Sequence, residues 1–90
     1  MTAVGAPLAV RVMVTEVWDQ VLLLVEPGMT VAALKRQALA EALKRTPAPE
    51  DYVVKFRGAL VSDETVTLAA LGVVGNSPLI VLPARRQAVH

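Results

Sequence analysis

The sequence predicts one α+β domain in the order ββαββ, with a very short return strand between the last two main strands. Three observations lead to this order. Two segments before residue 27 are aliphatic and β-branched and alternate as strands do. One segment after residue 30 is rich in strong helix formers. Finally, 90 residues can enclose only one hydrophobic core, and 54% of them are hydrophobic.

The first two strands are predicted at residues 8–15 and 21–26, and they form an antiparallel hairpin. Side chains of a strand point alternately to its two faces. The residues that alternate onto the core side are Val10, Val12, Val14, Val21, Leu23 and Val25. The hairpin therefore supplies one apolar face.

The helix is predicted over residues 31–45. Thr30 stands at the N-cap position, where its hydroxyl can accept a hydrogen bond from the first turn. Pro47 and Pro49 cannot continue the helix, because proline has no N–H and restricts the residue before it. The residues on or beside the apolar stripe are Val31, Leu34, Ala38, Leu39, Ala42 and Leu43. This stripe is expected to pack on the sheet.

The remaining elements are shorter. A third strand is predicted at residues 52–57, a tight turn at Gly58 and a very short return strand at residues 60–61. Residues 62–71 suit turns and a short helix, and residues 79–82 suit a last strand. The predicted domain spans residues 8–83, between a flexible lead-in at residues 1–7 and a flexible basic tail at residues 84–90.

Composition excludes several classes of function. The net charge of +1 gives little attraction to phosphate or anionic lipid, and the aromatic content of 3% provides no set of rings for stacking bases. No apolar run approaches the ~20 residues of a membrane-spanning helix. The chain has no cysteine, which rules out disulfides and thiolate chemistry and permits a reducing compartment. We expect a cytoplasmic protein that binds neither nucleic acid nor membrane.

The polar residues do not form a catalytic, cofactor or metal site, so no enzyme activity is expected. His90 is the only histidine and cannot build a catalytic dyad with cysteine. Adjacent acidic residues at 50–51 and 63–64 are expected to be solvated. Lys35 lies near the sheet-facing stripe of the helix and has two interpretations: a partly buried ion pair with Asp63, or an ammonium group that reaches water.

Several motifs together resemble the ubiquitin-like β-grasp family. Residues 25–35 read VEPGMTVAALK, which is similar to the family's strand, proline turn, threonine cap and helix start. Residues 56–60 read FRGAL, and they are followed by DETV, LGV and finally LIVL at residues 79–82. The motifs cover residues 11–82. The resemblance implies a mixed sheet in strand order 2-1-5-3-4 packed on one helix.

The C-terminal sequence departs from the conjugated members of that family. Those members end in Gly-Gly, whereas this sequence ends PARRQAVH and contains no two adjacent glycines. The chain is therefore most similar to bacterial ubiquitin-like proteins that lack the diglycine, some of which are accessory components of type VII secretion systems. The resemblance implies a non-catalytic interaction module or accessory subunit; the alternative is a protein modifier or sulfur carrier with atypical activation.

The outer face of the sheet, opposite the helix, is the predicted protein-binding site. Its residues are Met13, Trp18, Leu22, Leu24, Lys55, Ile80 and Leu82, with Arg11 within or beside them. Soluble monomers rarely expose a contiguous aliphatic patch without a function. The partner is expected to be another protein or a second copy of the chain. A register slip of one residue would instead place Leu22 and Leu24 in the core.

Overall fold

The computed structural model describes residues 7–44 and 47–84. The predicted N-terminal lead-in and C-terminal tail lie outside these residues, apart from Pro7 and Ala84. The strands are β1 (Leu8–Val14), β2 (Asp19–Val25), β3 (Tyr52–Phe56), β4 (Ala59–Leu60) and β5 (Pro78–Pro83). The helices are α1 (Val31–Leu43) and the short α2 (Leu68–Leu71), with a 3₁₀ turn at Pro49–Asp51.

The five strands form one mixed sheet in the order β2-β1-β5-β3-β4. β1 pairs antiparallel with β2 and parallel with β5, and β3 pairs antiparallel with β5 and β4. The predicted fold class and strand order are thus confirmed. Among the described residues no helix is long and apolar enough to cross a membrane.

The core lies between one face of the sheet and α1. Its fully buried side chains come from β1, α1, β3, α2 and β5, and they are Val10, Val12, Val14, Val31, Leu34, Ala38, Leu39, Val54, Leu68, Leu79 and Val81. The alternation predicted for the first hairpin is correct, because Leu23 and Val25 are also buried. Leu34, which the sequence placed on the apolar stripe of the helix, lies in this core, and so does Phe56 of β3.

Several predicted boundaries differ from the structure by one or two residues, and three of the differences have a clear physical reason. α1 ends at Leu43, because Lys44 adopts a left-handed conformation (φ 58°) and its N–H closes the last turn on the Ala40 carbonyl. β2 begins at Asp19 because the hairpin turn occupies only residues 15–18. The short return strand is β4 at Ala59–Leu60, and Val61 leaves it to enter the core.

The N-terminus of α1 is fixed as predicted. The Thr30 hydroxyl accepts a hydrogen bond from the Ala33 N–H at 3.2 Å. The segment before α2 lies against the same end of α1: the Val31 N–H donates to the Val66 carbonyl at 3.0 Å, and the Ala32 N–H donates to the Glu64 carbonyl at 2.9 Å. These long-range bonds bring Glu64 next to the first turn of α1.

The Lys35 ammonium group is buried and paired, but its partner is Glu64. Its Nζ lies 2.6 Å from Glu64 Oε1 and donates to the Tyr52 carbonyl at 2.9 Å. The predicted partner Asp63 is therefore wrong. Asp63 Oδ1 instead accepts bonds from the Thr65 hydroxyl at 2.5 Å and the Thr65 N–H at 3.0 Å.

The hydroxyl of Thr65, followed by its backbone N–H, lowers the pKa of Asp63 below its ordinary value. Because the pKa is lowered on folding, the resulting stabilisation is present above the ordinary carboxyl pKa and is lost as the pH falls through the lowered value. The carboxylate of Asp63 thus orders its own turn.

We expect the Lys35–Glu64 pair to show strong coupling in a double-mutant cycle. Glu64→Gln leaves a buried ammonium group with a weaker partner and should lower the free energy of unfolding by about 1–3 kcal/mol. Lys35→Met combined with Glu64→Gln should recover part of that loss. Urea unfolding measures all four species. Asp63→Asn is the matched control, and coupling of Lys35 to Asp63 rather than to Glu64 would contradict the geometry.

Candidate protein-binding surface

Strand alternation gives the sheet an outer face on the side away from α1. The outward positions of β1 are Ala9, Arg11 and Met13, because Val10, Val12 and Val14 are buried. The same alternation turns Leu22 and Leu24 outward on β2 and Ile80 and Leu82 outward on β5. We define the outer face by Met13, Leu22, Leu24, Ile80 and Leu82.

The aliphatic side chains of the outer face differ in exposure. Leu22 and Leu24 are 67% and 70% exposed, and Ile80 is 37% exposed. Met13 and Leu82 are partly buried by their neighbours. The alternative register, with Leu22 and Leu24 in the core, is excluded because Leu23 is buried between them.

Strand pairing shows how these residues are arranged across the sheet. Met13 lies opposite Gln20 on one side and Ile80 on the other. Arg11 lies in the next row, between Leu22 and Pro78. The Arg11 cation therefore separates the two leucines of β2 from Ile80, and Met13 joins the two aliphatic parts diagonally.

Lys55 extends the row of Met13 and Ile80 on the other side of β5. It lies opposite Ile80 on β5 and Leu60 on β4. The outer face thus presents aliphatic side chains together with two cations: Lys55 lies directly beside Ile80, and Arg11 lies diagonal to it.

Sequence reasoning missed two residues of this surface. Leu60 is 54% exposed and lies on the outer face, because it pairs directly with Lys55. Val53 pairs with Leu82 and is half-buried. The position of Leu60 could have been found from the tight turn at Gly58. A turn that pairs Phe56 with Ala59 also pairs Lys55 with Leu60, so the two side chains lie on the same side of the sheet.

Trp18 lies at the tip of the first hairpin, at the rim of the sheet. The turn is closed by bonds from the Val17 N–H to the Val14 carbonyl at 3.3 Å and from the Trp18 N–H to the Thr15 carbonyl at 3.2 Å. Trp18 is 77% exposed and has a left-handed backbone (φ 50°), which a bulky side chain rarely adopts. Glycine or asparagine would relieve this strain, so the exposed indole is held there at a cost to stability.

An open groove of about 410 Å³ borders β4 on the side of α2. Its apolar lining comes from Phe56, Ala59, Leu60, Val61, Val66 and Leu71, and its polar lining from Arg57, Ser62 and Asp63. Leu60 lines this groove and also lies on the same side of the sheet as the outer face, so apolar surface continues around β4. Within residues 7–44 and 47–84, no three acidic or histidine side chains cluster closely enough to hold a metal ion.

This arrangement of a mixed five-stranded sheet on one main helix is the ubiquitin-like β-grasp fold. The chain is similar to the ubiquitin of Caldiarchaeum subterraneum, with 20% identity, a TM-score of 0.75, and 92% of this chain and 100% of that one covered. It is also similar to the ubiquitin-like domain of an Arabidopsis thaliana protein, with 18% identity, a TM-score of 0.75, and 100% and 89% covered.

A protein designed de novo on the basis of ubiquitin is similar as well, with 19% identity, a TM-score of 0.72, and 93% of this chain and 96% of that one covered. No protein-family model matches the sequence, and no curated protein matches it. At sequence identities this low, the structural similarity shows the fold of this chain and nothing further.

Proposed function

We propose that this protein is a non-catalytic ubiquitin-like interaction module that docks on a larger protein through its outer face. The observation that supports this best is the exposure of Leu22, Leu24 and Ile80 on regular strands. Leu22 and Leu24 are neighbours on one face of β2, and soluble domains seldom expose neighbouring aliphatic side chains unless a partner covers them.

The proposed partner presents an apolar surface with acidic side chains. Covering each aliphatic residue contributes about 1.5–3 kcal/mol, and several such residues together offset the cost of association. Carboxylates of the partner would face Arg11 and Lys55, which fix orientation and speed encounter more than they add affinity. Trp18 would lie at the rim as an aromatic anchor.

In this proposal the chain is an accessory subunit of the cytoplasm and is not attached covalently to other proteins. The 90 residues contain no two adjacent glycines, and the sequence after β5 carries two arginines and other side chains. Incubation with ATP and an activating enzyme should therefore give neither an adenylate nor a thioester.

Site-specific photocrosslinking in the native host tests the proposal. A benzophenone amino acid in place of Ile80 should give a discrete, light-dependent adduct, and mass spectrometry should place the crosslink in an apolar segment with acidic residues. The matched control replaces Ala40, which is exposed on α1. Adducts from Ala40 alone, or from neither position, would contradict docking through the outer face. A ladder that forms without light would instead support a protein modifier.

A further inference from the structure

β2 is an edge strand with little of the usual protection, because its single charged residue, Asp19, is at its first position. Edge strands are normally very short, bulged, or interrupted by lysine or proline, which prevents another strand from pairing with them. The other edge strand, β4, has only two residues. β2 has seven, DQVLLLV, without a basic residue or proline, and it pairs with β1 in an unbroken register that leaves no bulge.

The backbone groups at the open edge can be assigned from the pairing of β1. The Arg11 N–H donates to the Ser77 carbonyl at 3.1 Å, on the side of β5. The backbone N–H and C=O of Arg11 therefore point away from β2. The N–H and C=O of its partner Leu22 likewise point away from β1. Because the direction alternates along a strand, the N–H and C=O groups of Gln20, Leu22 and Leu24 all point to the open edge.

We propose that a second copy of this chain pairs with that edge, with the two β2 strands antiparallel and Leu23 of each copy opposite Leu23 of the other. Leu22 then lies opposite Leu24 of the second copy, and the two-fold axis repeats this pair. Each of these pairs exchanges both of its N–H···O bonds, since these are the residues whose backbone groups point outward. The two sheets become one continuous sheet.

The side chains match in this register on both faces. The exposed Leu22 and Leu24 meet on the outer side, and the half-buried Val21 meets Val25 of the second copy on the side of α1. A register centred on Leu22 would instead place Asp19 opposite Val25 and pair apolar surface with a carboxylate. The proposed register leaves Asp19 beyond the paired segment.

Charge also favours this register. Glu26 is exposed just after β2 and lies opposite Gln20 of the second copy, whose amide can donate to the carboxylate. Arg11 lies about 12 Å from Glu26 of the second copy, because the two residues are separated by two strand spacings and by two residues along the strand. The two-fold axis gives a second, identical attraction between Arg11 and Glu26. In the register centred on Leu22, the two Arg11 residues would instead lie in the same row across the sheet, where like charges repel.

Edge pairing does not rest on the function proposed above. It leaves Ile80, Leu82 and Lys55 uncovered, and it places two outer faces side by side on one sheet. A dimer of this kind would bind a partner bearing two docking segments with increased avidity.

Analytical ultracentrifugation from micromolar to millimolar concentration tests the dimer. Total chemical synthesis can place N-methyl-leucine at position 22, which removes one edge donor and keeps the side chain and the bonds to β1. Each copy loses one interchain bond, so the dimerisation midpoint should move to a roughly ten- to hundred-fold higher concentration. Ile80→Asp is the control and should dimerise as the unmodified chain does.

Amide hydrogen exchange gives the second readout. As concentration rises, the amides of Leu22 and Leu24 should become protected, while that of Leu23 is protected throughout because it bonds to β1. The Leu23 amide also reports whether the N-methylated chain is folded. A monomer at every concentration, or an unchanged midpoint for the N-methylated chain, would overturn the proposal. Loss of the dimer in Ile80→Asp would assign it to the outer face instead.

Discussion

Leu34→Ala should lower the free energy of unfolding by about 2–5 kcal/mol. Leu34 is fully buried between α1 and the sheet. Truncating it removes apolar contacts and leaves a cavity that the surrounding strands cannot close completely. Small domains have total stabilities of only about 5–15 kcal/mol, so the midpoint of thermal unfolding should fall by roughly 10 °C or more.

The matched control for Leu34→Ala is Leu24→Ala, which removes the same atoms from an exposed position on β2. Its effect should stay within about 0.5 kcal/mol, as for other surface substitutions. Urea unfolding of both variants measures the contrast. Equal losses at the two positions, or none at Leu34, would mean that α1 does not pack on the sheet as described.

Leu22→Asp and Ile80→Asp should each weaken binding of the docking partner by about a hundred-fold or more. Each change removes an aliphatic contact and places a carboxylate in an interface that also desolvates it. Both residues are exposed in the free protein, so circular dichroism and thermal unfolding should change little. Isothermal titration calorimetry with the partner identified by crosslinking measures the loss.

Arg36→Asp is the control for these acidic substitutions, because Arg36 is exposed on α1, on the other side of the sheet. It introduces the same carboxylate and should leave partner affinity unchanged. Unfolding of the Ile80→Asp variant would show that Ile80 contributes to the core. Full binding by folded Leu22→Asp and Ile80→Asp variants would place the docking site elsewhere.

The order of elements was predictable from the sequence because local signals and the hydrophobic pattern agree. Thr30 caps α1 as its position indicates, and the alternation around Leu23 gives the correct face of β2. The boundaries that were wrong depend on backbone conformations that the residue type does not specify, such as the left-handed Lys44 at the end of α1.

Other features depend on contacts between distant parts of the chain. Glu64 pairs with Lys35 because a backbone bond holds residue 64 against the first turn of α1, while Asp63 binds Thr65 locally. The row that contains Arg11 is set by the simultaneous pairing of β1 with β2 and β5. The structure places Met13, Leu22, Leu24, Ile80 and Leu82 on the side of the sheet that the sequence predicted. The role of these residues in docking stays a prediction.

The most direct measurement uses the single isoleucine of the chain. Ile80 is the only isoleucine among the 90 residues and lies between Met13 and Lys55 on the outer face, so labelling its δ1 methyl gives one unambiguous NMR signal. On titration with the partner identified by photocrosslinking, this signal should shift. A soluble paramagnetic probe, which broadens the signal in the free protein, should no longer do so, because the partner covers the methyl group. An unchanged Ile80 signal in a saturated complex would contradict docking through the outer face.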